Sequence, residues 1–317
     1  MRQAGVLDVG CHSALLTVVR RRPGAVLEPV FSRKVRLRLH ETLDHKGRLD
    51  RAGMRSVERA VAETVAANPR PRGAEVFAFA TSVIRDAPNR DAIIAHVART
   101  TGTRLRVLTG EEEARLAYVA ARQWAGPAVG PLLVLDIGGG TVEIASGTGD
   151  QPHTVHSLPL GARRITRDWL PGNTAPSPRR LAEVRKYLRQ SLEAVPDLPR
   201  AEAGLRVLAC SKTFEQLARL AAARGKAPRA RRQLTLPQLR TAVDLLAGAK
   251  PSRRGKLPGI SQHRAEQSLA GALIAQALTE ACGAKSVEIC PWSTREGLLL
   301  EHLGVTATTV ARSRHTG

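Results

Sequence analysis

The 317-residue sequence predicts an α/β protein with layered sheets, built as two related halves. Three observations carry that prediction. Apolar runs of strand length alternate with segments of helical period along the chain. Two short segments, Gly5-Val6-Leu7-Asp8-Val9-Gly10 and Leu133-Val134-Leu135-Asp136-Ile137-Gly138, share one pattern: an apolar strand ending in Asp, an apolar residue and Gly. Each leads through small or polar residues into a second β-prone run, at 14–19 and 141–145. The length leaves room for two medium domains, each with its own core.

In order, residues 75–80 read as a strand and 89–101 as a helix carrying Ile93, Ile94 and Val97 on one face. A strand at 105–108 and a helix at 111–122 complete the first half. In the second half, 181–195 reads as a helix, 206–210 as a strand and 214–224 as a helix. The alternation returns with a helix at 263–282, a strand at 286–290 and a helix at 295–303. The Arg-rich stretch 222–240 and the Pro-, Lys- and Arg-rich stretch 250–259 read as surface loops or helix edges. The domain boundaries expected are 1–124 and 125–306, with 307–317 a disordered tail.

Composition narrows the function classes. With 43% hydrophobic and 24% charged residues the chain is that of a folded protein, and 3% aromatics imply an aliphatic core. Lys and Arg number 49 against 28 Asp and Glu, a net charge of +21. Such a surface suits a polyanion, whether nucleic acid, polyphosphate, nucleotide or anionic lipid. A GC-rich genome produces the same Arg excess, so charge alone selects no partner. Few aromatics leave little for base stacking, which argues against nucleic acid. No apolar stretch reaches signal-peptide or transmembrane length, so the expected compartment is the cytoplasm, without a membrane partner. Cys11, Cys210, Cys282 and Cys290 form no CxxC pair and are expected as reduced thiols.

The segment Asp136-Ile137-Gly138-Gly139-Gly140-Thr141-Val142-Glu143 carries the strongest chemical signal. Three glycines at a strand end let successive N–H groups meet an anion, while Asp136 and Glu143 can hold a hydrated Mg²⁺. A solvated glycine hairpin is the plain alternative for the glycines alone; the two carboxylates and the matching turn at Asp8 favour phosphate. In Thr109-Gly110-Glu111-Glu112-Glu113, Thr109 and Glu112 fit a capping box, yet three consecutive carboxylates exceed what a cap needs. Helical spacing turns neighbours by about 100°, so one glutamate can cap, one face solvent and one serve as a general base. Spacing alone does not say which. Thr81, Ser82 and Arg85 lie where a strand opens into a helix, a place suited to phosphate or to an ordinary capped helix with Arg85 ion-paired. Ser211-Lys212-Thr213 repeats that arrangement without forming a P-loop. His12 beside Cys11 suggests a nucleophile or ligand, but the other histidines show no metal-ligand spacing, and an ordinary loop position is expected.

In this order, these segments resemble the exopolyphosphatase/guanosine pentaphosphate phosphatase family, over residues 5–303. Further matching motifs are Ser157-Leu158-Pro159-Leu160-Gly161-Ala162, Leu257-Pro258-Gly259-Ile260 and Glu288-Ile289-Cys290-Pro291-Trp292. The short actinobacterial exopolyphosphatases are the most similar members. The resemblance implies two ribonuclease-H-like domains of the actin, sugar kinase and heat-shock ATPase superfamily, with an interdomain cleft. It makes Glu113 the catalytic base. Asp8, Asp136 and Glu143 become metal-associated carboxylates, with Mg²⁺ as cofactor and Mn²⁺ as a substitute. Gly10, Ser13, Arg85, Gly138, Gly139, Gly140, Thr141, Ser211 and Lys212 become phosphate contacts. The implied reaction removes terminal orthophosphate from inorganic polyphosphate with water. Guanosine pentaphosphate is the alternative substrate, a polyphosphate- or alarmone-binding regulator the alternative class, and a homodimer the implied assembly. One departure stands out: after Asp8-Val9-Gly10 the family usually has Ser-Asn, whereas this chain has Cys11-His12 before Ser13.

Overall fold

The computed structural model describes residues 3–22, 25–68, 75–126, 128–223 and 233–305. The tail expected at 307–317 lies outside the described residues. The chain forms two compact units, one from the chain up to Glu112 with the segment from Arg295 onward, the other Glu113–Thr294. Against the expected boundaries, residues 113–124 group with the second unit and the segment from Arg295 with the first.

The first unit contains β1 (Gln3–Val9), β2 (Ser13–Arg22), β3 (Ala25–Arg36), α1 (Arg51–Ala66), β4 (Glu75–Ala80), α2 (Ser82–Arg85), α3 (Arg90–Thr101) and β5 (Arg106–Val107); α4 (Gly110–Ala125) begins in it. Its sheet runs β3-β2-β1-β4-β5, antiparallel from β1 to β3 and parallel from β1 to β5. β1 is central, which explains its near-continuous apolar run: Val6, Leu7 and Val9 are all buried. Asp50 starts α1 by accepting the Gly53 N–H at 2.7 Å. Ile93 and Val97 of α3 enter the core, and Ile94 packs at its margin.

The second unit contains β6 (Leu132–Ile137), β7 (Val142–Gly147), β8 (Thr154–Leu158), α5 (Ala162–Trp169), α6 (Pro178–Glu193), β9 (Arg206–Cys210), α7 (Ser211–Ala222), β10 (Gln233–Thr235), α8 (Leu236–Gly248), α9 (Pro251–Arg254), α10 (Ser268–Ala281) and β11 (Ser286–Ile289); α11 (Thr294–His302) begins in it. Its sheet order is β10-β11-β9-β6-β7-β8. Read from β8, the strands repeat the first sheet's order and directions, with β10 added antiparallel at the far edge. The two halves inferred from a hexapeptide are therefore two copies of one sheet topology.

Three expectations need correction. The helix expected at 263–282 starts at Ser268; Gln262–Arg264 is a separate 3₁₀ turn. Of the stretch read as a surface loop or helix edge at 222–240, residues 224–232 lie outside the described residues, and 233–240 belong to β10 and α8. Leu239, Ala242, Val243 and Leu246 bury one face of α8, and Thr235 and Gln238 close its N-terminus as a capping box. In the stretch 250–259, Arg254 is almost wholly buried. Its guanidinium donates to the carbonyls of Leu246 (2.9 Å), Ala249 (3.2 Å) and Glu266 (3.2 Å), so it ends α8 by satisfying carbonyls a terminus leaves open. Burial lowers its pKa to about 10. Composition marks an arginine as surface; only the fold shows these carbonyls.

Candidate active site

Both units carry the same turn. The Gly10 N–H donates to Ser13 O at 2.9 Å, and the Gly138 N–H donates to Thr141 O at 2.9 Å. In each, the neighbouring parallel strand ends at the same level and delivers hydroxyl residues to the turn. The Thr81 N–H donates to Val9 O at 3.1 Å in the first unit, and Thr213 Oγ1 donates to Ile137 O at 3.1 Å in the second. Ser211 follows Cys210, the register partner of Asp136. Its φ is +86°, a strained value for a residue with a Cβ, and its Oγ is buried with no hydrogen-bond partner. An oxyanion satisfies such a donor.

The glycine loop of the second unit is turned by α5. The N–H groups of Ala162, Arg163 and Arg164 donate to the carbonyls of Gly138 (3.0 Å), Gly139 (2.9 Å) and Gly139 again (3.1 Å), and the Gly161 N–H donates to Gly140 O at 3.1 Å. No peptide bond among the described residues is cis, so each following N–H points opposite to its carbonyl. With the three carbonyls drawn toward α5, the N–H groups of Gly139, Gly140 and Thr141 face away from it, an anion-binding arrangement. Gly161 makes this approach possible. A Cβ there would lie 2.3 Å from Gly140 C and 2.4 Å from Thr141 N.

Carboxylates differ between the turns. Asp136 and Glu143 are directly opposed on β6 and β7, so their side chains share a face, whereas Asp8 is opposed by Leu15. Glu143 is buried and accepts from Ser157 Oγ at 3.2 Å; Asp136 accepts a hydrogen bond from Ser293 Oγ. This all-oxygen set fits a hard divalent cation. In the first unit, burial raises the Asp8 carboxyl to about 6, opposed by the charges of Arg295 and Lys34 and reinforced by Glu296.

The start of α4 separates its three glutamates. The Thr109 N–H donates to Glu112 Oε2 at 2.7 Å and the Glu112 N–H donates to Thr109 Oγ1 at 3.1 Å, so Glu112 is the cap. Glu111 is exposed and Glu113 is buried. Ala114, Ala117 and Tyr118 of α4 pack with Val134, Ala145 and Cys210, on the sheet face that period-two alternation also gives to Asp136 and Glu143. The consecutive residues Ser293 and Thr294 bind Asp136 through one hydroxyl and the Glu113 carbonyl, at 3.4 Å, through the other. Sequence alone gives Ser293 and α5 no role and marks Ser157 only as part of a motif. Ser293 lies 157 positions from Asp136, and no local pattern announces a contact of that range.

Two further candidate residues pair with neighbouring groups. Lys212 Nζ lies 2.7 and 2.8 Å from the two Glu215 oxygens and pairs with that carboxylate, with 59% of its side chain exposed. Arg85 donates to Asp86 Oδ1 at 3.1 Å and to Leu108 O at 3.4 Å, the ion-paired alternative left open by its sequence context. His12 does not stand apart from other metal-ligating groups: His40 joins it and Cys11.

Duplicated Asp-apolar-Gly turns on two sheets of one topology, with backbone N–H groups turned outward beside paired carboxylates, are features of an α/β protein suited to handling phosphoryl groups. The chain belongs to the Ppx/GppA phosphatase family, whose profile matches residues 17–305. Exopolyphosphatase 1 of Mycobacterium tuberculosis is 42% identical over 94% of this chain and 88% of its own. The Mycobacterium leprae protein of the same name is 41% identical over 94% and 89%. A guanosine-5'-triphosphate,3'-diphosphate pyrophosphatase of Aeromonas hydrophila is 28% identical over 97% of this chain and 61% of its own. Crystal structures of an exopolyphosphatase from Cytophaga hutchinsonii (TM-score 0.82, 19% identity, 96% of this chain and 99% of that one) and of the Aquifex aeolicus family member (0.80, 24%, 95% and 97%) share the fold.

Proposed function

We propose that this chain is an exopolyphosphatase, releasing terminal orthophosphate from inorganic polyphosphate by attack of water. The observation that carries the reading is the division of labour at α4: Glu112 caps, while Glu113 is buried and joined through Ser293-Thr294 to Asp136. The names of the mycobacterial relatives support the substrate.

In this reading the N–H groups of Gly139, Gly140 and Thr141, with Ser211 Oγ, hold the oxygens of the terminal phosphoryl group. Glu113 takes a proton from the attacking water. Asp136 and Glu143 would hold Mg²⁺, or Mn²⁺ in its place, and the cation supplies neutralisation of charge on the phosphate oxygens. Asp8, Gly10 and Ser13 serve as further cation and phosphate contacts by their likeness to the second turn. The +21 charge favours a long polyanion. Among the described residues no helix is long and apolar enough to cross a membrane.

The test is orthophosphate release from short polyphosphate, long polyphosphate and guanosine pentaphosphate, with Mg²⁺ and with chelator. Polyphosphate turnover that requires the cation is expected. Preferred hydrolysis of guanosine pentaphosphate would replace the substrate assignment, and binding without release would move the chain to a regulatory class.

A further inference from the structure

The turn that departs from the family pattern brings together three soft or borderline ligands. Cys11 Sγ lies 3.6 Å from His40 Nδ1, and the His12 and His40 rings lie 5.2 Å apart between centroids. One ligand atom from each of Cys11, His12 and His40 lies within 4.8 Å of the other two, and all three residues are half-buried. These 29 positions of separation are closed by backbone. The Leu39 N–H donates to Cys11 O at 3.0 Å and the Leu37 N–H donates to His12 O at 2.9 Å, and the 3₁₀ turn Leu39–Thr42 then presents His40.

We propose that Cys11, His12 and His40 form a binding site for Zn²⁺, with three protein ligands and a fourth position for water or an anion. A tetrahedral zinc with Zn–S of about 2.3 Å and Zn–N of about 2.05 Å sets the S···N edge at about 3.6 Å, the separation of Cys11 from His40. One thiolate and two imidazoles suit zinc and disfavour Mg²⁺, which separates this site from the all-oxygen set at Asp136 and Glu143. A carboxylate lies near the outer edge of the His40 ring, beyond hydrogen-bond distance. His40 Nε2 faces Glu41 Oε1 at 3.8 Å, and Arg38 donates to the same oxygen at 3.2 Å, leaving Nδ1 for the metal. Because Cys11 directly follows Gly10, a bound ion ties the first turn to Leu39–Thr42. Any resulting control of phosphate binding rests on the function proposed above; the metal site does not.

The experiment is titration of the metal-free full chain with Zn²⁺ and, as a spectroscopic probe, Co²⁺, both in excess Mg²⁺ to occupy carboxylate sites. The wild type is expected to bind one ion per chain, with a thiolate-to-cobalt charge-transfer band and the visible bands of tetrahedral Co²⁺. Cys11→Ser abolishes the charge-transfer band, and His40→Ala weakens zinc binding by about 100-fold or more. Zinc also slows alkylation of Cys11 in the wild type, a readout that needs no variant. No stoichiometric zinc binding by the wild type, or Co²⁺ spectra unchanged by Cys11→Ser, would overturn the site whether or not the protein hydrolyses polyphosphate.

Discussion

Asp8 shows what a buried carboxylate costs its fold. Burial raises its carboxyl from 3.8 to about 6 despite Arg295 and Lys34. A folded-state value above the unfolded one means that the neutral form is favoured in the native protein. The contribution to stability is therefore full below about pH 4 and lost as pH rises through about 6, a loss of at most about 3 kcal/mol. In chelator at pH 8, Asp8→Asn is expected to unfold at a higher temperature than the wild type, with the gap closing below pH 4. Thermal unfolding scans across that range check it, and a wild type that stays the more stable at pH 8 would refute it. Ser293→Ala tests the other carboxylate's support. It is expected to lower orthophosphate release and to raise the Mg²⁺ concentration needed for half-activity, by roughly tenfold, the scale of an outer-shell partner.

At the scale of elements, the glycine loop owes its direction to α5. Gly161→Ala places a methyl carbon on the Gly140–Thr141 peptide, so the loop must move or α5 must withdraw. The expected result is a loss of phosphate affinity by at least about tenfold, with destabilisation of about 1–3 kcal/mol, the range of overpacking. Polyphosphate KM and denaturant midpoints measure the two. The loop itself was legible because strand, glycines and carboxylates are contiguous from Asp136 to Glu143. The role of Gly161 was not, since the contact that demands a glycine joins residues about twenty positions apart. Strands whose apolar runs are uninterrupted, β1, β6 and β9, were read close to their bounds. α8 was missed because the Arg-rich stretch before it outweighed its buried Leu239, Val243 and Leu246 in any reading by composition. Arg254 was misread for the same reason, its carbonyl partners being visible only after folding.

For the whole molecule, repetition of one sheet order explains why a hexapeptide match was informative: the turn needs the same residues wherever this topology recurs. The repeat also shows where the halves have diverged, with Glu143 in the second turn at the position of Leu15 in the first. The charge of +21 acts on this scale as well. Polyphosphate binding is expected to weaken on the order of tenfold or more between roughly 50 and 200 mM salt, and more steeply for long chains than for short ones, because more charge pairs are screened. KM measured against salt for both lengths reads this out, and a salt-independent KM would remove the role given to net charge.

Of the three consecutive glutamates, Glu113 is proposed to do the chemistry while Glu112 only holds the helix. Orthophosphate release from polyphosphate should be measured for Glu111→Gln, Glu112→Ala and Glu113→Gln beside the wild type, with unfolding temperature recorded for each. Glu113→Gln is expected to lose about 10²–10⁴-fold in kcat with its fold intact, Glu112→Ala to lose about 1 kcal/mol of stability while keeping its turnover, and Glu111→Gln to match the wild type. Full turnover by Glu113→Gln, or its loss in a folded Glu111→Gln, would contradict the assignment.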